Sequence, residues 1–156
     1  MGAKIVTGGQ GANLWLHASR GPSNLPQSAA AAIFNVDGGR VLVMRMFGTV
    51  TTVIASSATK NLKVTLNPDS GTSGDVAANL DIESDEVGTT YVVEGDGTAL
   101  VGVNAGSGWS AVANPFVVNA GTIDIETSAS HTGAIKWDVF YIPVDAGARL
   151  NATTVS

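Results

Sequence analysis

Residues 121–143 constrain the fold more than any other part of the sequence. Two runs within this stretch alternate apolar and polar side chains, with the apolar members at Ile123, Ile125, Ile135, Trp137, Val139 and Tyr141. Alternation with a period of two is typical of strands that bury one face, and β-branched and aromatic residues favour them. The pattern therefore predicts two strands. The small polar residues 128–132 between them predict a β-hairpin.

The hairpin interpretation also predicts a register. The apolar residues of paired strands must share one face, so we expect Ile125 to lie opposite Ile135. The same register places Asp124 across from Lys136 on the other face, where opposite charges attract each other.

The second of these strands changes character towards its end. Its outer face is polar at Lys136 and Asp138 but apolar at Phe140 and Ile142, so both faces are apolar there. A strand that is apolar on both faces is covered on both sides, and in a chain of this size a second subunit can supply one cover. Pro143 cannot donate to a ladder and is expected to end the strand or lie at an edge. We therefore predict a subunit interface at Phe140, Ile142 and Pro143.

The composition supports an interface of this kind. The chain has 156 residues, the size of one domain, with 44% hydrophobic and only 13% charged residues. Globular domains typically contain about 25% charged residues. So few charges indicate that the chain hides more surface than its own core can, by oligomerisation or by docking on a larger assembly. A monomer with a surface of uncharged polar residues is the alternative that the composition leaves open.

Charge and cysteine content exclude several classes of partner and site. The formal net charge is −5 and no Lys/Arg cluster occurs, so no nucleic-acid partner is expected. The sequence contains no cysteine, which excludes disulfides and thiolate metal sites. No apolar run reaches the roughly 18 residues of a membrane span, so no membrane partner is expected.

The first 30 residues differ in composition from the rest. Glycine and proline punctuate short apolar islands, a pattern that favours neither a long helix nor a continuous strand. We therefore predict an extended N-terminal arm over residues 1–30. Its surface anchors would be Ile5, Val6, Leu14, Trp15 and Leu16.

The middle of the chain has the pattern of a series of short strands. Asp37, Gly38 and Gly39 lie between two apolar runs, which predicts a hairpin turn. Both alternating faces of residues 40–54 are largely apolar, so this strand is expected to be central, with a bulge or bend at Gly48. We count about eight or nine strands and no convincing amphipathic helix, which is typical of an antiparallel sandwich or barrel.

These patterns predict an all-β protein. Residues 31–146 are expected to form the β-sandwich domain and residues 147–156 a short polar tail. Residues 75–80 are ambiguous and are also compatible with one helical turn.

Catalytic residues form only weak constellations. The two histidines are His17 and His131, and Ser128, Ser130 and Asp138 lie near the second of them in sequence. Serine and aspartate are common everywhere, however, and no strand–turn–helix frame presents a nucleophile. We therefore expect a solvated loop histidine at position 131 and no enzymatic activity.

Two further features suggest a binding site of a different class. Asp81, Glu83, Asp85 and Glu86 form a carboxylate cluster, but their spacing does not match a Ca²⁺ loop, and a solvated acidic edge is the favoured interpretation. Trp109, among glycines, is the best candidate for an exposed platform on which a sugar could stack, with packing inside its loop as the alternative. No metal ion or cofactor is expected.

Several stretches of the sequence resemble small structural proteins of tailed bacteriophages. The last one contains Gly-Ala-Ile-Lys-Trp and Tyr-Ile-Pro-Val-Asp and is the most telling. The stretches are residues 48–67, 81–82, 88–91, 120–124 and 133–145. The resemblance therefore extends over about residues 47–146.

The resemblance implies a capsid decoration protein, also called a cement protein. Such proteins are sandwich or jelly-roll-like modules that bind the outer surface of the capsid, often as trimers. By this resemblance the partners would be the major capsid protein and further copies of the chain, and no cofactor would be needed. The protein would be made in the cytoplasm of the bacterial host and reside in the virion. Residues 1–30 lie outside the resemblance and would form the arm that grips the capsid.

Two alternatives stay open beside this interpretation. The first is another phage structural part, such as a head–tail or tail-tube component. The second, from a different class, is a carbohydrate-binding sandwich that works through Trp109 or the acidic cluster.

Overall fold

The structure, a computed structural model, describes residues 15–55, 60–109, 114–130 and 132–154. Within these ranges the chain forms eleven strands and no helix. The strands are β1 (Leu16–Asn24), β2 (Ala30–Asp37), β3 (Val41–Thr52), β4 (Asn61–Pro68), β5 (Gly74–Asp81), β6 (Thr90–Val92), β7 (Val101–Val103), β8 (Phe116–Val118), β9 (Gly121–Thr127), β10 (Ala134–Pro143) and β11 (Arg149–Ala152).

The strands form two antiparallel sheets. The first sheet has the order β1-β10-β3-β6-β7, and β8 pairs with β3 beyond the end of β6. The second sheet has the order β11-β2-β9-β4-β5. Successive strands often change sheets, as from β2 to β3 and from β9 to β10, which gives the wrapped connectivity of a jelly roll. The prediction of an all-β, jelly-roll-like antiparallel sandwich is confirmed.

The core lies between the two sheets, and the alternation of the sequence points into it. Ile123, Ile125, Ile135 and Trp137 are all at most 2% exposed, as their shared parity predicts. Gly48 on β3 lies beneath the Trp137 indole, because a Cβ added there would approach the ring atoms to 3.0 Å. The bulge expected at Gly48 is wrong, because Gly48 pairs in regular register with Trp137. The register of β3 shifts on either side of that glycine, and Gly48 itself makes room for the indole ring.

The hairpin predicted from residues 121–143 is wrong. β9 pairs with β2 and β4 in the second sheet, whereas β10 pairs with β1 and β3 in the first. Ile125 and Ile135 therefore belong to facing sheets, and Asp124 does not pair with Lys136. Alternation specifies which side of a strand is buried but does not specify its neighbour. Here the connection crosses from one sheet to the other.

The turn at Asp37, Gly38 and Gly39 is also a crossing between sheets and not a hairpin. It joins β2 of the second sheet to β3 of the first. Gly38 and Gly39 have φ angles of 74° and 130°, which favour glycine. A Cβ on Gly39 would lie 2.7 Å from the Cβ of Asp145, so the turn packs directly on the segment that follows β10.

Both termini contribute more structure than their composition predicts. Residues 16–24 form β1 at the edge of the first sheet, so the expectation of no continuous strand in residues 1–30 is wrong. Residues 149–152 form β11, so the polar tail is partly a strand. Residues 75–80 lie in β5 and not in a helical turn. An edge strand gains its stability from a neighbour, and composition alone does not reveal that neighbour.

Both sides of the sandwich are joined across the gap between the sheets. On one side, Ala78 of β5 exchanges backbone hydrogen bonds with Thr98 and Leu100. On the other side, Arg20 Nε of β1 donates to the hydroxyl of Thr153, which follows β11, at 3.0 Å. These links limit access to the sheet edges, which are otherwise templates for pairing with another chain.

Candidate functional site

The first sheet carries apolar side chains on its solvent side as well as on its core side. β3 and β10 are adjacent, and β3 and the second half of β10 are largely apolar on both faces, as expected for the central strands of this sheet. The register places Ile142 beside Leu42 and Leu42 beside Val117, all on the outer side. It also places Phe140 beside Arg45. Two rows of side chains result, and both cross the outer side of the sheet.

The first row is aromatic and runs from β1 to the loop that contains Trp109. The His17 ring stacks on Phe140 with centroids 4.7 Å apart and planes at 19°. Phe140 is followed by Phe47 at 6.4 Å, and Phe47 by Trp109 at 5.0 Å. Offset aromatic pairs at such distances stabilise each other beyond their buried area. The guanidinium of Arg45 lies 5.7 Å from the centroid of the Trp109 ring, within the range of a cation–π contact.

The second row is aliphatic and lies closer to the end of the sheet where β10 finishes. Its members are Ile142, Leu42 and Val117, of which Val117 is 52% exposed. We call the aromatic row (His17, Phe140, Phe47, Trp109) and the aliphatic row together the apolar face. A contiguous apolar surface of this kind typically marks an interaction site.

Further exposed apolar side chains gather at the same end of the sheet. Trp15 and Leu16 precede or begin β1, Val144 follows β10, and each is between 42% and 47% exposed. Leu16 is the register partner of Tyr141, so the start of β1 lies beside the end of β10. Trp15 and Leu16 therefore lie at the same end of the sheet as the aliphatic row, but Leu16 shares the side of Tyr141, which is the core side.

A buried carboxylate holds the aromatic row in place. Asp138, with a side chain only 9% exposed, lies 2.8 Å from His17 Nε2 and 3.3 Å from Lys136 Nζ. Burial opposes its ionisation, but hydrogen bonds from His17, Ser19 and Lys136 outweigh burial and lower the pKa of Asp138 below its ordinary value. Asp138 thereby fixes the His17 ring where it stacks on Phe140.

The structure places the predicted interface residues on or near this surface. Phe140, Ile142 and Pro143 are each partly buried, and the first two belong to the apolar face. Of the predicted arm anchors, Trp15 and Leu16 are exposed beside it. Ile5, Val6 and Leu14 lie outside the described residues.

The outer side of the second sheet is mainly polar, with the small side chains of Ala30 and Ala32 across from Glu126 and Asp124. Lys63 Nζ lies 3.1 Å from Glu126 and 3.4 Å from Asp75, and these contacts raise the pKa of Lys63. Thr65 donates its hydroxyl proton to Asp75 at 3.0 Å. The neighbouring outward positions are Asn35, Asn67, Thr122 and Asp124. Such a surface is well solvated and has no large apolar side chain at these outward positions.

The described residues do not bring together the histidine, serine and aspartate that a catalytic site near His131 would need. His131 lies outside them, and Asp138 is engaged by His17 at a distance in sequence of 121 residues. Ser128 accepts a hydrogen bond from the backbone N–H of Asn61, a contact that connects a loop to a strand. A nucleophile next to a base, which acyl-transfer chemistry needs, is not assembled by these groups.

Two members of the acidic cluster, Asp81 and Asp85, accept hydrogen bonds from groups of the protein itself. Asp81 Oδ1 accepts from the backbone N–H groups of Lys60 and Glu83. Asp85 accepts from the Tyr91 hydroxyl at 2.6 Å, and burial together with this bond raises the pKa of Tyr91. Among the described residues, no group of three or more acidic or histidine side chains is placed to hold a metal ion.

Trp109 packs within its surroundings and does not stand as an isolated platform. Phe47 lies against the ring at a 54° angle, and Arg45 lies over it. A sugar that stacks on an aromatic ring needs an open ring face, and this packing reduces the face that Trp109 offers. The geometry therefore favours a packed tryptophan, but its contacts are with β3 and not, as the alternative had it, inside its own loop.

Leu42, Arg45, Phe47 and Val117 belong to this site but were not predicted from the sequence. A signal for three of them was present, because residues 40–54 and the end of β10 are the two segments with apolar residues on both faces. Strands of that kind must lie in the interior of a sheet, and two of them in one domain are natural neighbours. Val117, in a strand of three residues, gave no such signal.

No protein-family model, curated protein or solved structure matches this chain. In the parts of the chain that the structure describes, no helix has the length and hydropathy needed to span a membrane.

Proposed function

We propose that this protein is a virion structural protein that decorates the outer surface of a phage capsid and stabilises it by bridging neighbouring capsid subunits. The observation that carries the proposal is the apolar face, an aromatic and an aliphatic row on the solvent side of the first sheet. An isolated domain gains nothing from leaving these side chains in contact with water. A domain that docks on a larger assembly uses them as its contact surface.

The described contacts support a binding role over a catalytic one. The aromatic side chains are held by stacking and by the Asp138 network, so little conformational entropy remains to be lost on docking. The opposite polar surface keeps the other side of the domain hydrated. A one-sided module of this kind is suited to lie on a shell with its second sheet towards solvent.

In this proposal the apolar end of the first sheet makes two kinds of contact. Copies of the chain meet as trimers near Ile142 and Pro143, and Trp15 and Leu16 extend the contact to the capsid protein. Each contact is small, but attachment through several subunits at once makes the whole tight. The resemblance to phage head proteins and the low charge content both support this arrangement.

The test uses capsids of the phage that encodes this chain, prepared without the protein and then supplied with purified protein. Wild-type protein should bind and raise the temperature at which the capsids release their DNA. The double variant Leu42→Ser/Ile142→Ser should bind at least about tenfold more weakly, because two apolar contacts at the centre of an interface are lost. Asn35→Ser/Thr122→Ser on the second sheet is the matched control and should behave as wild type.

Absence of binding by wild-type protein, or equal loss in the two double variants, would contradict the proposal. Native mass of the protein in solution separates the phage alternatives. A trimer supports decoration, whereas rings or stacks of six subunits would support a tail-tube component.

A further inference from the structure

A pocket lies at one end of the sandwich, away from the aromatic row. It has a volume of about 410 Å³, within the range of about 300–1,000 Å³ that ligand sites occupy. One wall is β8 and the residue after it, and the opposite wall is the β4–β5 hairpin together with residues 95–97. The pocket is therefore a cleft that runs along one edge of β8.

The floor of the cleft is apolar and its rim is acidic. Leu66, Val76 and Phe116 belong to or pack against the core and form the floor. Two carboxylates, Asp75 and Asp96, lie among the lining residues, and no lysine or arginine does. An apolar floor below an acidic rim fits a side chain with an aliphatic stem and a positive end.

The turn that carries Asp96 holds its carboxylate in the charged form. Oδ1 of Asp96 accepts from the Thr98 hydroxyl at 2.5 Å and from the Thr98 backbone N–H at 3.0 Å. These bonds lower the pKa of Asp96 below its ordinary value. Asp75 is partly neutralised, since Lys63 lies 3.4 Å from its Oδ1. Asp96 is therefore the stronger attraction for a cation.

The edge of β8 offers a second mode of contact in the same cleft. Among the described residues β8 pairs only with β3, so its other edge faces the cleft. An extended polypeptide can add to such an edge through main-chain hydrogen bonds while its side chains enter adjacent pockets.

From this combination we infer that the cleft binds an extended segment of a partner polypeptide, which lies along β8 and inserts a lysine or arginine side chain between Asp75 and Asp96. The acidic rim selects the positive side chain, and the edge of β8 selects an extended backbone. The cleft adjoins the aliphatic row of the apolar face, because Val117 belongs to both. The inference does not rest on the capsid proposal, because its test uses the isolated protein and peptides and no capsid.

The test is an NMR titration of ¹⁵N-labelled protein with blocked pentapeptides. The probes are Ac-Val-Thr-Arg-Thr-Val-NH₂, its lysine analogue, its glutamine analogue and, as a small cation without an extended backbone, L-argininamide. The arginine and lysine peptides should shift the amide signals of residues 66–76, 95–97 and 116–122. The glutamine peptide should bind at least about fivefold more weakly, the loss expected for exposed charge pairs.

Two variants separate the cleft from general acidity of the surface. Asp96→Asn keeps the shape of the side chain and should weaken the arginine peptide about fivefold. Glu86→Gln, which is exposed and outside the cleft, is the control and should leave the affinity unchanged. Raising the salt concentration should weaken the arginine peptide but not the glutamine peptide.

Three results would each overturn the inference. The first is no shift with any peptide at millimolar concentration. The second is equal binding of the arginine and glutamine peptides, which would remove the role of the carboxylates. The third is equal binding of L-argininamide and the arginine peptide, which would show a small-molecule site and not a polypeptide site.

Discussion

The two sheets of this protein are alike on their core sides, which are apolar. They differ on their solvent sides, which are polar in the second sheet and aromatic and aliphatic in the first. On the second sheet, the outward positions of β9 and β4 carry Glu126, Lys63 and Thr65. Lys63 forms ion pairs with Glu126 and Asp75, and the Thr65 hydroxyl donates to Asp75. On the first sheet, the equivalent outward positions of β10 and β3 include Phe140 and Phe47, which stack. Both surfaces belong to central strands of a sandwich, so position in the fold does not explain the difference.

The comparison shows that different physical requirements determine the residues on the buried side and on the exposed side of a strand. The core side must fill the space between the sheets at high density, and both sheets meet this requirement with branched and aromatic residues. The outer side is under no such requirement, and the polar second sheet is what hydration alone favours. The aromatic outer side of the first sheet is the observation from which we propose a partner that replaces water.

The largest difference between the sheets is expected in the stability lost when a glycine is replaced by alanine. Gly48→Ala should lower the free energy of unfolding by about 2–3 kcal/mol, because the added Cβ meets the Trp137 ring and Ile135 and the core must shift. Gly74→Ala in β5 is the control, since nothing lies within 4 Å of its Cβ position. Urea unfolding of both variants measures the effect. Equal stability of the two would show that the first sheet does not depend on this close approach.

The buried carboxylate of the first sheet should matter more than an exposed carboxylate of the second. Asp138→Ala leaves His17, Ser19 and Lys136 without their shared acceptor and should cost about 2 kcal/mol. Glu126→Ala removes a partner of Lys63 from a well-hydrated surface and should cost less than about 0.5 kcal/mol. Thermal unfolding of both proteins at pH 7 provides the comparison, and a similar loss in both would remove the distinction between the two surfaces.

Removing one ring from the aromatic row should have a smaller but measurable effect. Phe47→Ala deletes the ring that lies between Phe140 and Trp109 and should cost about 1–1.5 kcal/mol, since the ring is only partly buried. Thr65→Ala, on the outer side of the second sheet, should change stability by less than about 0.5 kcal/mol. Tryptophan fluorescence should also report the loss of packing at Trp109 in the first variant only.

The smallest expected effect is a pH dependence of the stability that Asp138 contributes to the first sheet. The pKa of Asp138 is lowered in the folded protein, so its stabilising contribution is present above the ordinary aspartate pKa of about 3.9 and is lost as pH falls through the folded value. The stability difference between wild type and Asp138→Asn should therefore shrink between pH 6 and pH 3. A difference that stays constant over this range would contradict the role of the charged form.

The sequence was sufficient to predict most strands in the middle of the chain but not their neighbours, and β1, β5 and β11 were not predicted. Ile123 and Ile125, like Ile135 and Trp137, are buried as their alternation predicts, yet they lie in facing sheets. A hairpin and a crossing connection place the same apolar residues on the inner side. Only long-range packing distinguishes the two, and that information is not contained in any short stretch.

The candidate site was also predictable only in part, because local patterns marked its strands but not the contacts between distant residues. The change from Asp138 to Phe140 on the outer side of β10 marked one strand of the apolar face. The other strand, with Leu42 and Phe47, could have been found by asking which second segment is apolar on both faces. The contribution of His17 could not, because its contact with Asp138 spans 121 residues of sequence. The pocket beside β8 depends on loops whose positions follow from the whole fold.

The central claim is that the apolar face is the surface that the protein buries in its assembly. Hydroxyl-radical footprinting of the protein, isolated and bound to capsids, tests this claim directly, because it labels apolar and aromatic side chains in proportion to their exposure. Val53 and Val87, each 53% exposed and not part of the apolar face, are internal controls. We expect Trp109, Ile142 and Val117 to lose reactivity on binding while the two control valines keep theirs. Unchanged labelling of the apolar face together with protection of Val53 and Val87 would contradict the account.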